Sequence, residues 1–172
     1  MIKILYASIV FCLVSNFTFA QNNTGVYKEK FNKNNPININ SEEATVIKNQ
    51  NKIIFKKNVK AKQDNFLLYS DIATVKYNEN GNEKFAINSI KTDGHVKFIS
   101  TKIVATGETG YYDVINNTVT LENNVDIIQN GISINAEKFE YFVKTGKTNI
   151  TGSKIEKNKK QVTVILDNSV SK

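Results

Sequence analysis

The 172-residue sequence contains no arginine and no tryptophan, and it has one cysteine, one histidine and one proline. All 23 basic residues are therefore lysines, so a phosphate contact would be made by a point charge without the bidentate fork of a guanidinium. The histidine, His95, has no second histidine or nearby cysteine as a partner for metal binding or base catalysis. No serine-centred nucleophile motif and no glycine-rich phosphate loop occurs. The sequence therefore predicts no enzymatic activity, no metal and no cofactor.

The first twenty residues have the composition of a secretory leader. Lys3 precedes an apolar run over residues 4–14, and Thr18-Phe19-Ala20 places small residues at positions -3 and -1 before Gln21. We expect residues 1–20 to be a signal peptide cleaved before Gln21, with an uncleaved anchor as the alternative. The apolar run is shorter than the roughly 20 residues that span a bilayer, which favours cleavage. Cleavage would remove the only cysteine, so the stability of the exported chain must come from sheet and core.

The remaining sequence reads as strands. Residues 21–35 are polar, Asn-rich and without periodicity, and we expect them to be a disordered lead-in. From Pro36 onward, short runs of Ile, Val, Phe, Tyr and Thr alternate with Asn, Gly, Asp and Lys. No window has the period of an amphipathic helix, so little or no helix is expected. Asn130-Gly131 is the strongest hairpin signal. Weaker turn signals are Thr145-Gly146, Glu79-Asn80-Gly81 and Asn116-Asn117.

Five acidic residues mark an internal repeat. Their spacings are 29, 37, 29 and 30 residues, and they are Glu42, Asp71, Glu108, Glu137 and Asp167. Apolar or small residues stand five, three and one positions before each acid, and again two and four positions after all but the last. The alternation of apolar residues thus shifts by one position at each acid. The apolar side chains can stay on the same side of the sheet only if the strand bends there and the acid points outward at the corner. The repeat predicts bent strand pairs that stack into one folded-over, two-layer sheet, with a longer loop near residues 77–85.

Several polar residues are candidates for a functional role. Asn58, His95 and Asn124 share one column of the repeat, and we expect turn chemistry there rather than catalysis. The acids recur once per repeat, which argues against a pair of catalytic carboxylates. The net charge of +7 allows an anionic partner, although the lysines near the C-terminus are expected to be a solvated surface, with phosphate attraction as the alternative. These lysines are Lys144, Lys147, Lys154, Lys157, Lys159 and Lys160.

Three segments in register carry a family resemblance. They are NVKAKQDNFLLYSDIATVKY from Asn58, HVKFISTKIVATGETGYY from His95 and NVDIIQNGISINAEKFEY from Asn124. Together they resemble the OstA-like domain of the periplasmic lipopolysaccharide-transport proteins, the LptA family, and the resemblance covers about residues 36–167. It implies an all-β, open and twisted antiparallel β-jelly roll over residues 36–172. It also implies a periplasmic location and an apolar interior that holds the acyl chains of lipid A.

The resemblance further implies partners. These would be lipopolysaccharide, other copies of the chain stacked end to end, an inner-membrane LptC-like protein and an outer-membrane LptD-like protein. Nucleic acid is not expected, because the leader indicates export. Two alternatives stay open: a membrane-anchored LptC-like subunit of the same pathway, and a structural β-repeat protein of the cell envelope that binds no ligand.

The inward apolar columns supply the candidate lipid-binding residues. Periodicity alone favours an ordinary core, whereas the resemblance favours a wall that serves as both core and lipid surface. Small residues just before the acids predict room for a guest. The predicted lining residues are Ile37, Ile39, Phe66, Leu68, Val96, Phe98, Ile103, Ala105, Val125, Ile127, Ile132, Ile134, Tyr141, Val162 and Val164.

Overall fold

A computed structural model of the chain describes residues 32, 34–78, 86–155 and 159–166. The predicted leader, most of the predicted lead-in and the Glu79-Asn80-Gly81 turn lie outside the described residues. Within them the chain forms strands and one short 3-10 helix, Lys48–Gln50, which confirms the all-β prediction. No helix in the described part is long and apolar enough to cross a bilayer. The strands are β1 (Asn38–Asn40), β2 (Glu43–Ile47), β3 (Lys52–Gln63), β4 (Phe66–Asn78), β5 (Ala86–Ile99), β6 (Ile103–Asp113), β7 (Thr118–Gln129), β8 (Ile132–Phe142), β9 (Lys147–Thr151), β10 (Ser153–Ile155), β11 (Lys159–Gln161) and β12 (Thr163–Leu166).

One antiparallel sheet contains all strands except the small β10–β11 pair. Its order is β1-β3-β4-β5-β6-β7-β8-β12, with β2 paired to β3 and β9 paired to β8. Each of the strands β3 to β8 is bent in the middle, so the sheet divides into two layers. Layer A contains β1, β12 and residues 59–63, 66–70, 96–99, 103–107, 125–129 and 132–136. Layer B contains β2, β9 and residues 52–56, 72–78, 86–93, 109–113, 118–122 and 138–142.

The predicted hairpin turns are present. Asn130 and Gly131 have φ values of 52° and 77° and join β7 to β8 through a two-residue loop, with Gln129 paired to Ile132. Positive φ at both loop positions is the requirement of a type I′ turn, which Asn-Gly meets best. Asn116-Asn117 and Thr145-Gly146 likewise lie in the turns after β6 and β8.

A line of β-bulges, which we call the crease, separates the two layers. At each bulge two consecutive residues of an odd-numbered strand face a single acid of the next strand. The bulge pairs and the facing acids are Lys57-Asn58 with Asp71, Gly94-His95 with Glu108, and Asn123-Asn124 with Glu137. All six bulge residues have positive φ, which Gly adopts freely and Asn and His tolerate better than most residues. The crease confirms the predicted bends, and it confirms the outward position of four acids, because Glu42, Asp71, Glu108 and Glu137 are all exposed. The fifth predicted acid, Asp167, lies outside the described residues.

The predicted turn column is corrected in one respect. Asn58, His95 and Asn124 do take the left-handed conformation of turn residues, with φ of 51°, 45° and 51°. They lie inside β3, β5 and β7, however, and not at the ends of these strands. A pair of left-handed residues bends a strand without ending it, because pairing resumes with one extra residue accommodated.

The two layers enclose a single hydrophobic core. Phe98 of layer A has its ring centroid 5.5 Å from that of Tyr141 and 6.4 Å from that of Phe139, both in layer B. Phe66 of layer A lies 6.1 Å from Tyr141 by the same measure. Because aromatic rings from both layers interdigitate, neither layer has a core of its own.

Candidate functional site

The interior between the layers is the place where most of the predicted lining residues meet. Cross-strand pairing aligns an inward row that runs through the whole of layer A, from β1 to β12. The row consists of Ile39, Ala61, Leu68, Phe98, Ala105, Ile127, Ile134 and Val164. The alternation of side chains along a strand places them all on the same face. The sheet therefore carries one continuous apolar stripe from its first strand to its last.

Burial divides the predicted lining residues into three groups. Phe66, Leu68, Val96, Phe98, Ile103, Ala105, Val125, Ile127 and Tyr141 are buried. Ile37, Ile39, Ile132 and Ile134 are half-buried, and Val162 and Val164 are exposed. The buried group lies in the middle of the sheet, and the exposed pair lies at and beside its last strand. The sequence did not indicate this gradient, because strand periodicity reports only which face a residue takes.

The interior is closed in this structure. Its cavity measures about 30 Å³ and is lined by residues that include Ile37, Phe66, Ile90 and Val143. Ligand pockets typically measure roughly 300–1,000 Å³. None of the small residues before the acids, such as Gly107 and Ala136, lines this cavity. A Cβ atom at Gly107 would lie 3.3 Å from the backbone oxygen of Glu122 across the crease. The absence of a side chain at Gly107 therefore lets the two strands approach each other closely.

A buried polar contact joins the layers at one end of the interior. The Tyr112 hydroxyl of layer B donates a hydrogen bond of 2.8 Å to Gln63 Oε1 of layer A, and both residues are buried. Gln63 Nε2 in turn donates to the backbone oxygen of Asn35, at 3.0 Å. Burial raises the pKa of the Tyr112 hydroxyl to about 12, so it remains a donor at neutral pH. Sequence analysis missed Gln63, although a glutamine at an inward position after Val59 and Ala61 was an available signal.

Apolar side chains of the inward face are uncovered at one end strand of each layer. Val46 of β2 pairs with the inward-facing Ile53, yet it is 56% exposed. Val164 of β12 pairs with the inward-facing Ile134 and is 51% exposed. These strands are the last of the sheet in the described part of the chain, so no further strand covers the inward face beyond them. Large apolar side chains left open in this way mark surfaces that bind a ligand or another chain.

The corner acids form hydrogen bonds along the outer side of the crease. Glu42 accepts a hydrogen bond from Asn58 Nδ2 at 2.5 Å, and Glu108 accepts one from Asn124. Asp71 Oδ2 lies 2.8 Å from His95 Nδ1, and this contact raises the pKa of His95. Each of these three acids thus contacts the second bulge residue of the following strand. This one-to-one arrangement ties neighbouring bulges together, and no cluster of three metal-ligating side chains occurs among the described residues.

Comparison with known proteins identifies the fold and the family. The family model described as "LptA/(LptD N-terminal domain) LPS transport protein" matches residues 38–163, which span β1 to the start of β12. The chain belongs to this family of lipopolysaccharide-transport proteins. A search of curated proteins finds no match. Among solved structures, the chain is similar to LptH of Pseudomonas aeruginosa, described as the LptA-homologous periplasmic component of the lipopolysaccharide-transport device. That likeness has a TM-score of 0.65 at 20% identity and covers 78% of this chain and 97% of LptH.

The family assignment confirms two predictions made from the sequence. The OstA-like resemblance is confirmed by the family match, and the open jelly roll is confirmed by the sheet itself and by its likeness to LptH. The chain is thus a lipopolysaccharide-transport protein by family. Which side chains contact lipid stays a prediction.

Proposed function

We propose that this chain is a periplasmic lipopolysaccharide carrier whose interior shields the acyl chains of lipid A. The observation that carries the proposal is the inward apolar face of the sheet, which is uncovered at one end strand of each layer, at Val46 of β2 and at Val164 of β12. The family supports transport as the activity, and the periplasmic location given for LptH supports the compartment. The proposal involves no enzymatic step. A leader removed before Gln21 would deliver the chain to that compartment.

The closed interior limits how lipid enters. A cavity of about 30 Å³ cannot hold an acyl chain unless the layers separate. The half-buried and exposed residues Ile134 and Val164 are the first apolar groups an acyl chain meets from the open end. Entry there would replace solvent contact by apolar contact at each step, which is favourable at roughly 25 cal/mol per Å² of apolar surface.

The same two ends support end-to-end assembly as part of the proposal. Each end strand has one edge without a neighbour among the described residues, and backbone pairing to another sheet would satisfy it. Such pairing would also join the inward stripes of successive copies into one apolar surface. An inner-membrane LptC-like and an outer-membrane LptD-like protein are the proposed partners at the two ends of the assembly.

Site-specific photo-crosslinking tests lipid binding. A photoreactive residue at Ile134 is expected to crosslink to lipopolysaccharide, because this side chain faces the interior near its open end. The matched control is Asn135, the next residue of β8, which faces outward and is exposed. Equal crosslinking at the two positions, or none at Ile134, would refute an interior binding site.

Assembly is tested at the last strand. Val164→Lys places a charge on the uncovered inward face and is expected to weaken both self-association and lipopolysaccharide binding. Thr163→Lys adds the same charge on the outward face of β12 and is expected to weaken neither. Analytical ultracentrifugation with and without lipopolysaccharide compares the two variants. If Thr163→Lys disrupts assembly as strongly as Val164→Lys, charge at the strand edge and not the inward stripe is responsible.

A second candidate function is favoured by the closed core. A structural repeat protein of the envelope would need no guest, and the small interior cavity agrees with that function. The crosslinking experiment separates the two, because a structural protein gives no lipid adduct at Ile134. A membrane-anchored subunit of the same pathway is distinguished by N-terminal sequencing, since the anchored form would retain Met1 and the carrier would begin at Gln21.

A further inference from the structure

The outward face of layer A carries a second apolar row. Five aliphatic residues and one serine pair in register across β4, β5, β6, β7, β8 and β12, on the face opposite the interior. The members of this outer aliphatic row are Leu67, Ile99, Val104, Ile128, Ser133 and Ile165. Ile128 and Ile165 are 54% and 57% exposed, and the other four members are half-buried. The row is an uncharged strip six strands wide, or roughly 24 Å at a strand spacing of about 4.8 Å.

The outward face of layer B has no such strip. Its corresponding central row is Ile54, Thr74, Lys91, Tyr111, Thr120, Glu140 and Asn149. Only Ile54 and Tyr111 in this row are aliphatic or aromatic, and the other five residues are polar or charged, as is usual for a solvated sheet face. The outer aliphatic row is therefore a property of one layer and not a general feature of this sheet.

Four lysines lie around the half of the row that β4, β5 and β6 contribute. Lys62 pairs directly with Leu67, Lys97 lies two residues before Ile99 on the same face, and Lys102 is exposed in the turn before β6. Lys60 lies on this face too, with its ammonium group 5.6 Å from the centroid of the Tyr69 ring. None of these four lysines forms an ion pair with an acid in the described part of the chain.

The nearby acids already have hydrogen-bond partners. Asp64 accepts hydrogen bonds from the backbone nitrogen of Asn32 and from Asn35, and Asp126 accepts one from Asn135. Beside the row, a surface groove of about 510 Å³ is bordered by residues that include Lys60, Lys62 and Leu67. Two lysines, an aliphatic side chain and the hydrogen-bonded carboxylate of Asp64 thus border the same concave surface.

We propose that the outward face of layer A binds the surface of an anionic phospholipid membrane. The aliphatic row would enter the boundary between headgroups and acyl chains, and the four lysines would contact phosphates, as on amphipathic membrane-binding surfaces. A second copy of the chain fits this face less well, because face-to-face packing would bring two sets of unpaired lysines together. The surface is distinct from the interior, so it would hold the carrier beside a membrane without occupying the lipid site.

Vesicle flotation of the protein purified after export tests this proposal. The expected result is binding to vesicles of phosphatidylcholine with about a third phosphatidylglycerol, and little binding to phosphatidylcholine alone. Ile128→Ser combined with Ile165→Ser should weaken binding about tenfold, and Lys62→Gln or Lys97→Gln about fivefold each. Serine already occupies the row at Ser133, so these substitutions suit the strand.

Matched controls lie on layer B. Tyr111→Ser removes an outward ring and Lys91→Gln removes an outward charge there, and both should leave vesicle binding unchanged. Equal binding by the Ile128/Ile165 double variant, or an equal loss in the layer B controls, would overturn the proposal. A dimer in solution that dissociates in the double variant, without vesicle binding by the unaltered protein, would assign the face to a second copy and overturn it as well. Interior crosslinking at Ile134 is unaffected by any of these outcomes, so the two proposals can fail separately.

Discussion

Layers A and B are built from the same strands, yet they resemble each other only on their inner faces. Inside, both present aliphatic and aromatic residues to one core, and rings from the two layers interdigitate around Phe98. Outside, layer B mixes charged, polar and apolar residues in each row, whereas layer A carries the uncharged outer aliphatic row beside lysines. Packing restricts which residues the two inner faces can carry, whereas the residues of the outer faces contact only solvent or binding partners. The difference between the outer faces is therefore informative about binding.

Loss of the Phe98 ring is expected to have the largest effect on stability, because this layer A side chain packs against rings of layer B. Phe98→Ala should lower the free energy of unfolding by about 3–5 kcal/mol, the usual cost of a large cavity at a buried aromatic. Since its ring contacts layer B, both layers should unfold in one transition at a lower denaturant concentration. Chemical denaturation followed by circular dichroism measures this.

The control for Phe98→Ala is an outward ring. Tyr111→Ala on layer B should change the free energy of unfolding by no more than about 0.5 kcal/mol, as surface substitutions usually do. Two separate transitions in Phe98→Ala would contradict a shared core and would instead make each layer an independent unit.

The shared inner pattern is also what made the fold predictable. Alternation of apolar residues and the repeated corner acids were sufficient to predict a two-layer sheet with outward acids, and Glu137 lies at the crease as expected. The left-handed pairs were not predicted, because Asn58 and His95 are residue types typical of turns. Only the strand pairing reveals that the strands continue through these positions. The outer aliphatic row was missed for a related reason. Its members, such as Val104 and Ile128, come from different strands and align only through register.

The crease itself is tested by two glycines with the same backbone angle. Gly94 and Gly131 both have φ of 77°, but a Cβ at Gly94 would lie 2.3 Å from Asp71 Oδ2, while one at Gly131 would meet nothing within 4 Å. Gly131→Ala should therefore cost only the backbone strain, about 1 kcal/mol. Gly94→Ala should cost about 1–2 kcal/mol more, because Asp71 must move away from His95.

Thermal unfolding of the Gly94→Ala and Gly131→Ala variants, measured side by side, tests whether the first loses more stability than the second. Equal losses of stability would mean that the crease accommodates the added methyl group as easily as a hairpin loop does. The acid at the crease would then have no fixed position, and the regular spacing of the corner acids would lack a structural reason.

The contact between Gln63 and Tyr112 joins the layers by one hydrogen bond. Tyr112→Phe leaves Gln63 Oε1 buried without its donor, which should lower the free energy of unfolding by about 1–2 kcal/mol. Tyr111→Phe, one residue earlier and facing outward, is the matched control and should have little effect. If the bond also holds the interior closed, Tyr112→Phe should accelerate lipopolysaccharide uptake, which stopped-flow fluorescence can measure. An unchanged stability would indicate that water replaces the tyrosine hydroxyl.

The smallest expected effect concerns the pair of Asp71 and His95 on the outside of the crease. Their contact raises the pKa of His95, so the folded state favours the protonated ring. The stabilisation is therefore fully present below the unfolded pKa of about 6.5 and is lost as pH rises through the higher folded pKa. Asn occupies the equivalent bulge position at Asn58 and Asn124, so His95→Asn keeps the bend but removes the titrating group. The Tm of the unaltered protein minus the Tm of this variant should be roughly one degree larger at about pH 5 than at about pH 9. A difference between the two proteins that does not vary with pH would mean that His95 acts only through its backbone conformation.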